Sequence, residues 1–321
     1  MGFIEHSVVA DFARDRINLS PEAAAKHRAQ VKALRDRLEK KIDADPNYGL
    51  VKMLHAGSVA KGTALQDVND LDTAVYVKTA AAPTSSDALL VPWLADRLYE
   101  ANTNMNRDQF IAEQHCVRVN FKGSGLDVDV VPVLYEGDPD DRGYLVRKYT
   151  GDRVLTSVPL HLKFVRDRKI AYGPAFAELI RITKWWKRVV ARNDEDFKFK
   201  SFMIELLWAR LADDGQNLAD YPTALERFFR EIVKFGFAEQ IAFTDFCKAS
   251  ETPHRSSAAI EVLDPVNPAN NVASRYTTAD RDRIVTAAHD ALNALGEARF
   301  APTKGRAVEC WQTILGPTFK G

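Results

Sequence analysis

The 321-residue chain balances 44 Lys plus Arg against 44 Asp plus Glu, a formal charge of zero that argues against gripping long duplex nucleic acid through its phosphates. An apolar fraction of 46% with 27% charged residues is that of a globular enzyme, and the length calls for one large or two packed domains. Cys116, Cys247 and Cys310 offer neither a disulfide framework nor zinc-ligand spacing, no run approaches the ~18 apolar residues of a spanning helix, and the first fifteen residues are no secretory signal, so the expectation is a reduced, cytoplasmic protein without a membrane partner.

Ser20-Pro21-Glu22 reads as a helix start, and Val31, Leu34, Leu38 and Ile42 recur at helical spacing, giving a long amphipathic helix over 20–43. An apolar segment, 50–56, runs into a Gly57-Ser58 turn. Residues 71–77 read as a strand flanked by Asn69-Asp70 and Lys78, and Ser85-Ser86-Asp87 caps a helix carrying Leu89, Leu90, Trp93, Leu94 and Leu98. Residues 116–121 and 126–134, joined by Lys122-Gly123-Ser124-Gly125, read as an antiparallel hairpin. Beyond about residue 165 the β-character fades: 174–192, 200–212, 222–235 and 278–298 read as helices, with Trp185-Trp186 and Phe228-Phe229 as core aromatics, and 264–271 as a loop. The fold class is therefore α+β in two lobes: a mixed-sheet α/β lobe over 1–165 with its long helix, then a helical lobe over 166–321. A cleft between lobes is the expected place for the active site.

Asp70-Leu71-Asp72 opens a strand, and side chains two apart on a strand share a face. Leu126-Asp127-Val128-Asp129 repeats the device on another strand. Like charges gathered on one face destabilise the fold unless a cation neutralises them, and Mg²⁺ prefers such hard oxygen ligands together with substrate phosphates. Two ions would activate an attacking hydroxyl and stabilise leaving pyrophosphate. Upstream, Gly57-Ser58-Val59-Ala60-Lys61-Gly62-Thr63 follows a strand and offers backbone N–H groups, a hydroxyl and the Lys61 ammonium to a phosphate, although it is no Walker loop.

G-S-x-x-K-G-T, then D-x-D, then a strand Asp followed by Val130-Val131-Pro132, resembles the oligoadenylate synthase and cyclic GMP–AMP synthase superfamily of polymerase-β-like nucleotidyltransferases. The bacterial cyclic-oligonucleotide synthases of anti-phage signalling are most similar. Residues 179–187 and 199–207 look like the two signature helices of the family, and Asp264-Pro265 to Asn271 matches its D-P-x-x-P-x-N-N segment, so the resemblance runs from about 50 to 275. It implies that Gly57 and Ser58 hold a donor triphosphate, with Lys61 beside them. It implies that Asp70, Asp72 and Asp129 ligate two Mg²⁺ ions, or Mn²⁺ in their place, with Asp129, which directly precedes Val130-Val131-Pro132, as general base; Asp127 shares its face, which leaves a supporting role open. Lys184 and Ser201 would contact the triphosphate from the helical lobe, and Phe202 would stack on the donor base.

The implied reaction joins ribonucleoside triphosphates, ATP and/or GTP, into a cyclic di- or trinucleotide with release of pyrophosphate. Transfer of one nucleotide to RNA, a protein or a small molecule is the alternative within the fold, and a catalytically silent nucleotide-binding regulator the alternative outside it. No His/Cys zinc cluster or basic excess accompanies the motifs, so constitutive activity or control by a partner protein fits better than activation by duplex nucleic acid. The end of the chain, 315–321, reads as a flexible tail whose Gly321 would suit a conjugating partner.

Overall fold

A computed structural model describes residues 2–66, 70–83, 87–123, 125–146 and 152–321, and of Asp70, Asp87 and Ala88 only the backbone. The expected cap at Ser85-Ser86 and Ser124 of the expected turn lie outside the described residues, as does the Asp87 side chain. In chain order the helices are α1 (His6–Phe12), α2 (Pro21–Ala44), α3 (Gly57–Lys61), α4 (Asp87–Ala101), α5 (Val158–Tyr172), α6 (Pro174–Asn193), α7 (Ser201–Asp213), α8 (Tyr221–Phe235), α9 (Thr278–Arg299) and α10 (Lys304–Leu315). The strands are β1 (Leu50–His55), β2 (Asp70–Lys78), β3 (Phe110–Ala112), β4 (Val117–Phe121), β5 (Leu126–Tyr135), β6 (Gly143–Val146) and β7 (Arg153–Thr156).

The chain forms two compact units, one of Leu19–Lys163 and one of Met1–Asn18 with Phe164–Gly321. The expected division at 165/166 falls within a few residues of this boundary, which lies inside α5. It differs in that the first eighteen residues belong to the helical unit. The reason is visible in their contacts: Phe12 packs edge-on against Trp185 and Phe319, and Asn18 is bonded to Glu178 and Arg181.

In the α/β unit the sheet runs β1-β2-β5-β4-β3, with β6 on β5 and β7 on β6. β2 and β5 are parallel, whereas β1–β2, β4–β5 and β3–β4 are antiparallel, so the sheet is mixed as the sequence implied. Strand alternation sends Leu71, Val75, Val77, Val128 and Val130 to one face, where they pack with Val31, Leu34 and Leu38 of α2 and Leu90, Leu94 and Leu98 of α4. The α2 start is as read: the Ser20 hydroxyl accepts from Ala23 N at 3.1 Å and Pro21 occupies the first turn. The other face holds a smaller apolar cluster of Ala74, Tyr76, Val133 and Val158. Beyond that cluster the same face is left to Asp72, Asp127 and Asp129, because period-two alternation continues along β2 and β5.

The helical unit is built on aromatic side chains. Trp186 lies within 4.8–6.3 Å of the rings of Phe197, Phe199 and Phe229, and Trp208 stacks on Phe228 at 4.8 Å while its indole N–H donates to Thr183 Oγ1. Trp185 is only half-buried and donates to the Leu315 carbonyl.

The end of the chain is tied down instead of hanging free. Phe319 is 1% exposed, meets Phe12 and Trp311, and its carbonyl accepts from Gln312 Nε2 at 2.9 Å. This corrects the reading of 315–321 as a flexible tail: an aromatic two residues before the last one is buried against Phe12 and Trp311, which local composition does not reveal. Phe319→Ala should therefore destabilise the helical unit by about 3–5 kcal/mol in urea unfolding, whereas the same change in a frayed tail would be silent.

Candidate active site

β2 and β5 lie side by side in parallel with Asp70 opposite Asp127 and Asp72 opposite Asp129. The two D-x-D segments, distant in the chain, thus become one acidic patch at the amino-terminal ends of two adjacent strands. Asp72 is exposed and Asp129 retains 21% of its side-chain surface, so both carboxylates reach solvent. The side chain of Asp70 lies outside the described residues, and its place in the site rests on its register alone. Among the described residues no group of three His, Cys, Asp or Glu side chains comes close enough together to hold a metal ion.

Gly57 closes the patch from one side. Its φ is +66°, and a methyl group there would stand 1.9 Å from Asp72 Oδ2 and 2.5 Å from Asp72 Cβ. Only a glycine lets the backbone lie this close to the carboxylate, and only a glycine takes that φ without strain. Ala56 N donates to the Asp72 carbonyl at 2.9 Å, extending the β1–β2 pairing to the mouth of the site. The expected Gly57-Ser58 turn is in fact the first residues of α3, a single helical turn. Gly62, in the left-handed region at φ +73°, ends it, and the buried Thr63 donates its N–H to the Ser58 carbonyl. In G-S-x-x-K-G-T, then, the second Gly and the Thr are explained by shaping the turn, whereas Ser58 and Lys61 keep partial exposure beside the acids' strand.

β4 supplies partners that the sequence did not announce. Arg118 stands opposite Asp129 and Asn120 opposite Asp127. Arg118 Nε lies 3.4 Å from Asp129 Oδ1 and 3.9 Å from Asp127 Oδ2, while its two terminal nitrogens meet the two Glu113 oxygens at 2.9 and 3.1 Å. Asn120 Nδ2 donates to Asp127 Oδ1 at 2.7 Å. Asp127 is therefore held by two neighbours, which fits the supporting role better than a ligand's. Burial, reinforced by Asp129 and Glu113, pushes the Cys116 thiol up to about 12, so it stays protonated. The donors on offer are hard carboxylate oxygens, a set that suits Mg²⁺ or Mn²⁺ and not a thiophilic metal.

In the helical unit the structure shows where the expected residues stand. Lys184 is 5% exposed and its ammonium is paired at 2.7 Å with Glu205, itself 3% exposed. The lysine that reaches Ser201 is Lys187, whose Nζ donates to Ser201 Oγ at 3.1 Å. Burial, followed by the neighbouring Lys184 and Arg188, lowers the Lys187 ammonium's pKa. Lys184 therefore stands one helical turn after Ile180 in the buried stripe of α6, paired with Glu205, and Lys187 is the lysine beside Ser201. Phe202 follows Ser201 in the first turn of α7 and is half-buried. The D-P-x-x-P-x-N-N loop is held in shape by its own side chains. Asp264 Oδ1 accepts from Val266 N at 2.9 Å, and Asn271 Oδ1 accepts from Val262 N and Ala273 N. Next to it, Lys200 donates its ammonium to the Val272 carbonyl and its backbone N–H to the Tyr276 hydroxyl.

The two lysines separate by experiment. Lys184→Ala leaves Glu205 buried and charged and should destabilise by about 3–5 kcal/mol. Lys187→Ala should change stability by under about 1 kcal/mol and raise the KM for nucleotide about tenfold, read by denaturation and steady-state kinetics.

Residues 5–153 match the Second Messenger Oligonucleotide or Dinucleotide Synthetase domain. The chain is 43% identical to the cyclic AMP-AMP-AMP synthase of Escherichia coli (strain MS 115-1), over 99% of this chain and 98% of that protein. It is 29% identical to the CBASS oligonucleotide cyclase CdnC of E. coli (strain KTE188), over 95% and 94% of the two chains. Solved structures of E. coli MS115-1 CdnC, one with ATP and one in complex with HORMA-deltaN, superpose with a TM-score of 0.95 at 43% identity, covering 99% of this chain and 100% and 99% of those.

Proposed function

The chain belongs to the bacterial cyclic-oligonucleotide synthases of anti-phage signalling, a family of nucleotidyltransferases, and from that premise we propose that it joins three molecules of ATP into cyclic AMP-AMP-AMP with release of pyrophosphate. The observation that carries the catalytic part is the parallel register of Asp72 with Asp129 under the close approach of Gly57. The product is supported by the relative's activity, at an identity that extends over the whole length of both chains.

Asp72 and Asp129, with Asp70 beside them in register, would hold Mg²⁺ or Mn²⁺. When bound, two such ions stabilise charge on the reacting phosphate and the departing pyrophosphate. Asp129 takes the proton of the acceptor hydroxyl on its carboxylate, and Asp127 is kept apart by Asn120. Gly57 and Ser58 present backbone N–H groups and a hydroxyl to the donor phosphates, with Lys61 close in the same turn. In the helical unit, Lys187 and Ser201 offer an ammonium and a hydroxyl suited to a phosphate, and Phe202 a face suited to a base. Each transfer forms one phosphodiester and breaks one α–β phosphoanhydride; in the last, the terminal hydroxyl of the linear trimer attacks the α-phosphate of the trimer's own 5′-triphosphate, closing the ring with loss of pyrophosphate.

The regulatory partner we propose is a HORMA-domain protein, supported by the complex of the 43%-identical relative. Conjugation through Gly321 is the weaker reading, since Phe319 anchors the chain two residues before it.

The test is incubation with ATP alone and with all four ribonucleoside triphosphates, in Mg²⁺, in Mn²⁺ and in EDTA, followed by phosphatase. A resistant product that needs only ATP, co-migrates with cyclic triadenylate and disappears in EDTA is expected. A product that requires GTP overturns the base choice, a ring of two overturns the product, and label transferred to RNA or protein overturns cyclisation.

A further inference from the structure

Arg118 is placed by the fold, not by chance. On β4 its neighbours Val117 and Val119 are fully buried on the core face, so Arg118 and Asn120 turn to the acidic face. Glu113 precedes the Glu113–Cys116 turn, closed by a bond from Glu113 N to the Cys116 carbonyl, and grips the guanidinium with both oxygens. That fork-to-fork pairing fixes the plane of the guanidinium and leaves Nε directed at Asp129 and Asp127. One fixed positive charge thereby faces several carboxylates and cannot neutralise them all, so the face stays anionic.

We propose that Arg118 is a positioning residue that serves as a resident counter-cation: it orients Asp129 in the metal-free protein, competes with the incoming divalent cation and so sets its affinity, while Glu113 restrains it from closing on Asp129. This rests on the reading that Asp72 and Asp129 hold divalent metal. Removing Arg118 strengthens the field on the metal but loosens the empty site; releasing it from Glu113 does the reverse to the field. A purely architectural ion pair would weaken the site whichever partner was changed.

The test uses the full-length, nucleotide-free protein with Mn²⁺ as the probe, free ion being counted by electron paramagnetic resonance and stability read by melting in EDTA and in saturating Mn²⁺. Arg118→Gln should bind Mn²⁺ about three- to tenfold tighter, melt lower in EDTA, and gain more from Mn²⁺ than the wild type. Glu113→Gln should bind Mn²⁺ more weakly, and Arg118→Lys, which keeps the charge but not the fork, should lie near the wild type. Unchanged or weaker binding by Arg118→Gln, or equal weakening in both variants, overturns the inference while leaving the metal reading in place. A wild type with no Mn²⁺ uptake sensitive to Asp72→Asn overturns both. Should Arg118→Gln fail to fold, Arg118→Lys decides: Mn²⁺ affinity near the wild type supports the inference, and a weakening like that of Glu113→Gln overturns it.

Discussion

Asp72→Asn and Asp129→Asn should each lower cyclic-nucleotide synthesis by about 10²- to 10⁴-fold, with the fold intact by circular dichroism. The two should nevertheless separate in stability. Asp72 is exposed at the strand end, so its amide variant should unfold within about 1 kcal/mol of the wild type. Asp129 is the half-buried partner of Arg118, and Asp129→Asn should melt lower in EDTA because the guanidinium loses a charged acceptor. Synthesis retained within about tenfold in both variants would place the chemistry away from the paired strands.

The second large effect is expected from one methyl group. Gly57→Ala must adopt φ +66°, which costs an L-residue about 1–2 kcal/mol, and must also displace a carboxylate 1.9 Å from the new carbon. The backbone strain alone would be tolerable, but the clash falls on the carboxylate proposed to hold metal, where a shift of about 1 Å is worth about 10²-fold in rate. We expect a loss of about 1–3 kcal/mol in stability and about 10²-fold in activity. Gly125→Ala is the control: its φ is +67°, but nothing lies within 4 Å of the added carbon. It should show the strain and keep its activity; equal losses in activity for both would remove the close approach to Asp72 from the explanation.

Much of this site was legible without coordinates because it is written in local periodicities. Alternation put Asp127 and Asp129 on one face of a strand and Leu126, Val128 and Val130 on the other, and the structure keeps that division. The long helix declared its cap and its buried stripe, and the expected helices of the second lobe end within a residue or so of the observed ones. Partners across strands were not legible. That Arg118 faces Asp129 depends on which strand pairs with β5 and in which register, and no spacing encodes that. Short elements were missed for a related reason: α1, β6 and β7 are too brief to show a period, and α5 has weak amphipathic contrast because its long basic side chains interrupt its apolar positions. The buried pairing of Lys184 with Glu205 was missed for a different reason. The i+4 spacing of Lys184 from Ile180 was visible in the sequence, and a charge inside a buried stripe calls for a buried partner before it calls for a ligand.

The parallel pairing of β2 with β5 also has a consequence for when the enzyme comes into being. The β4–β5 hairpin closes over a few residues and forms early, whereas β2 must find β5 across the intervening α4, β3 and β4. Asp72 and Asp129 are strangers until that last closure. In a partly folded chain whose β2 and β5 have not paired, the two acid pairs stand apart and the repulsion between them is absent. Such a chain also has no means of making a signal before its folding is complete.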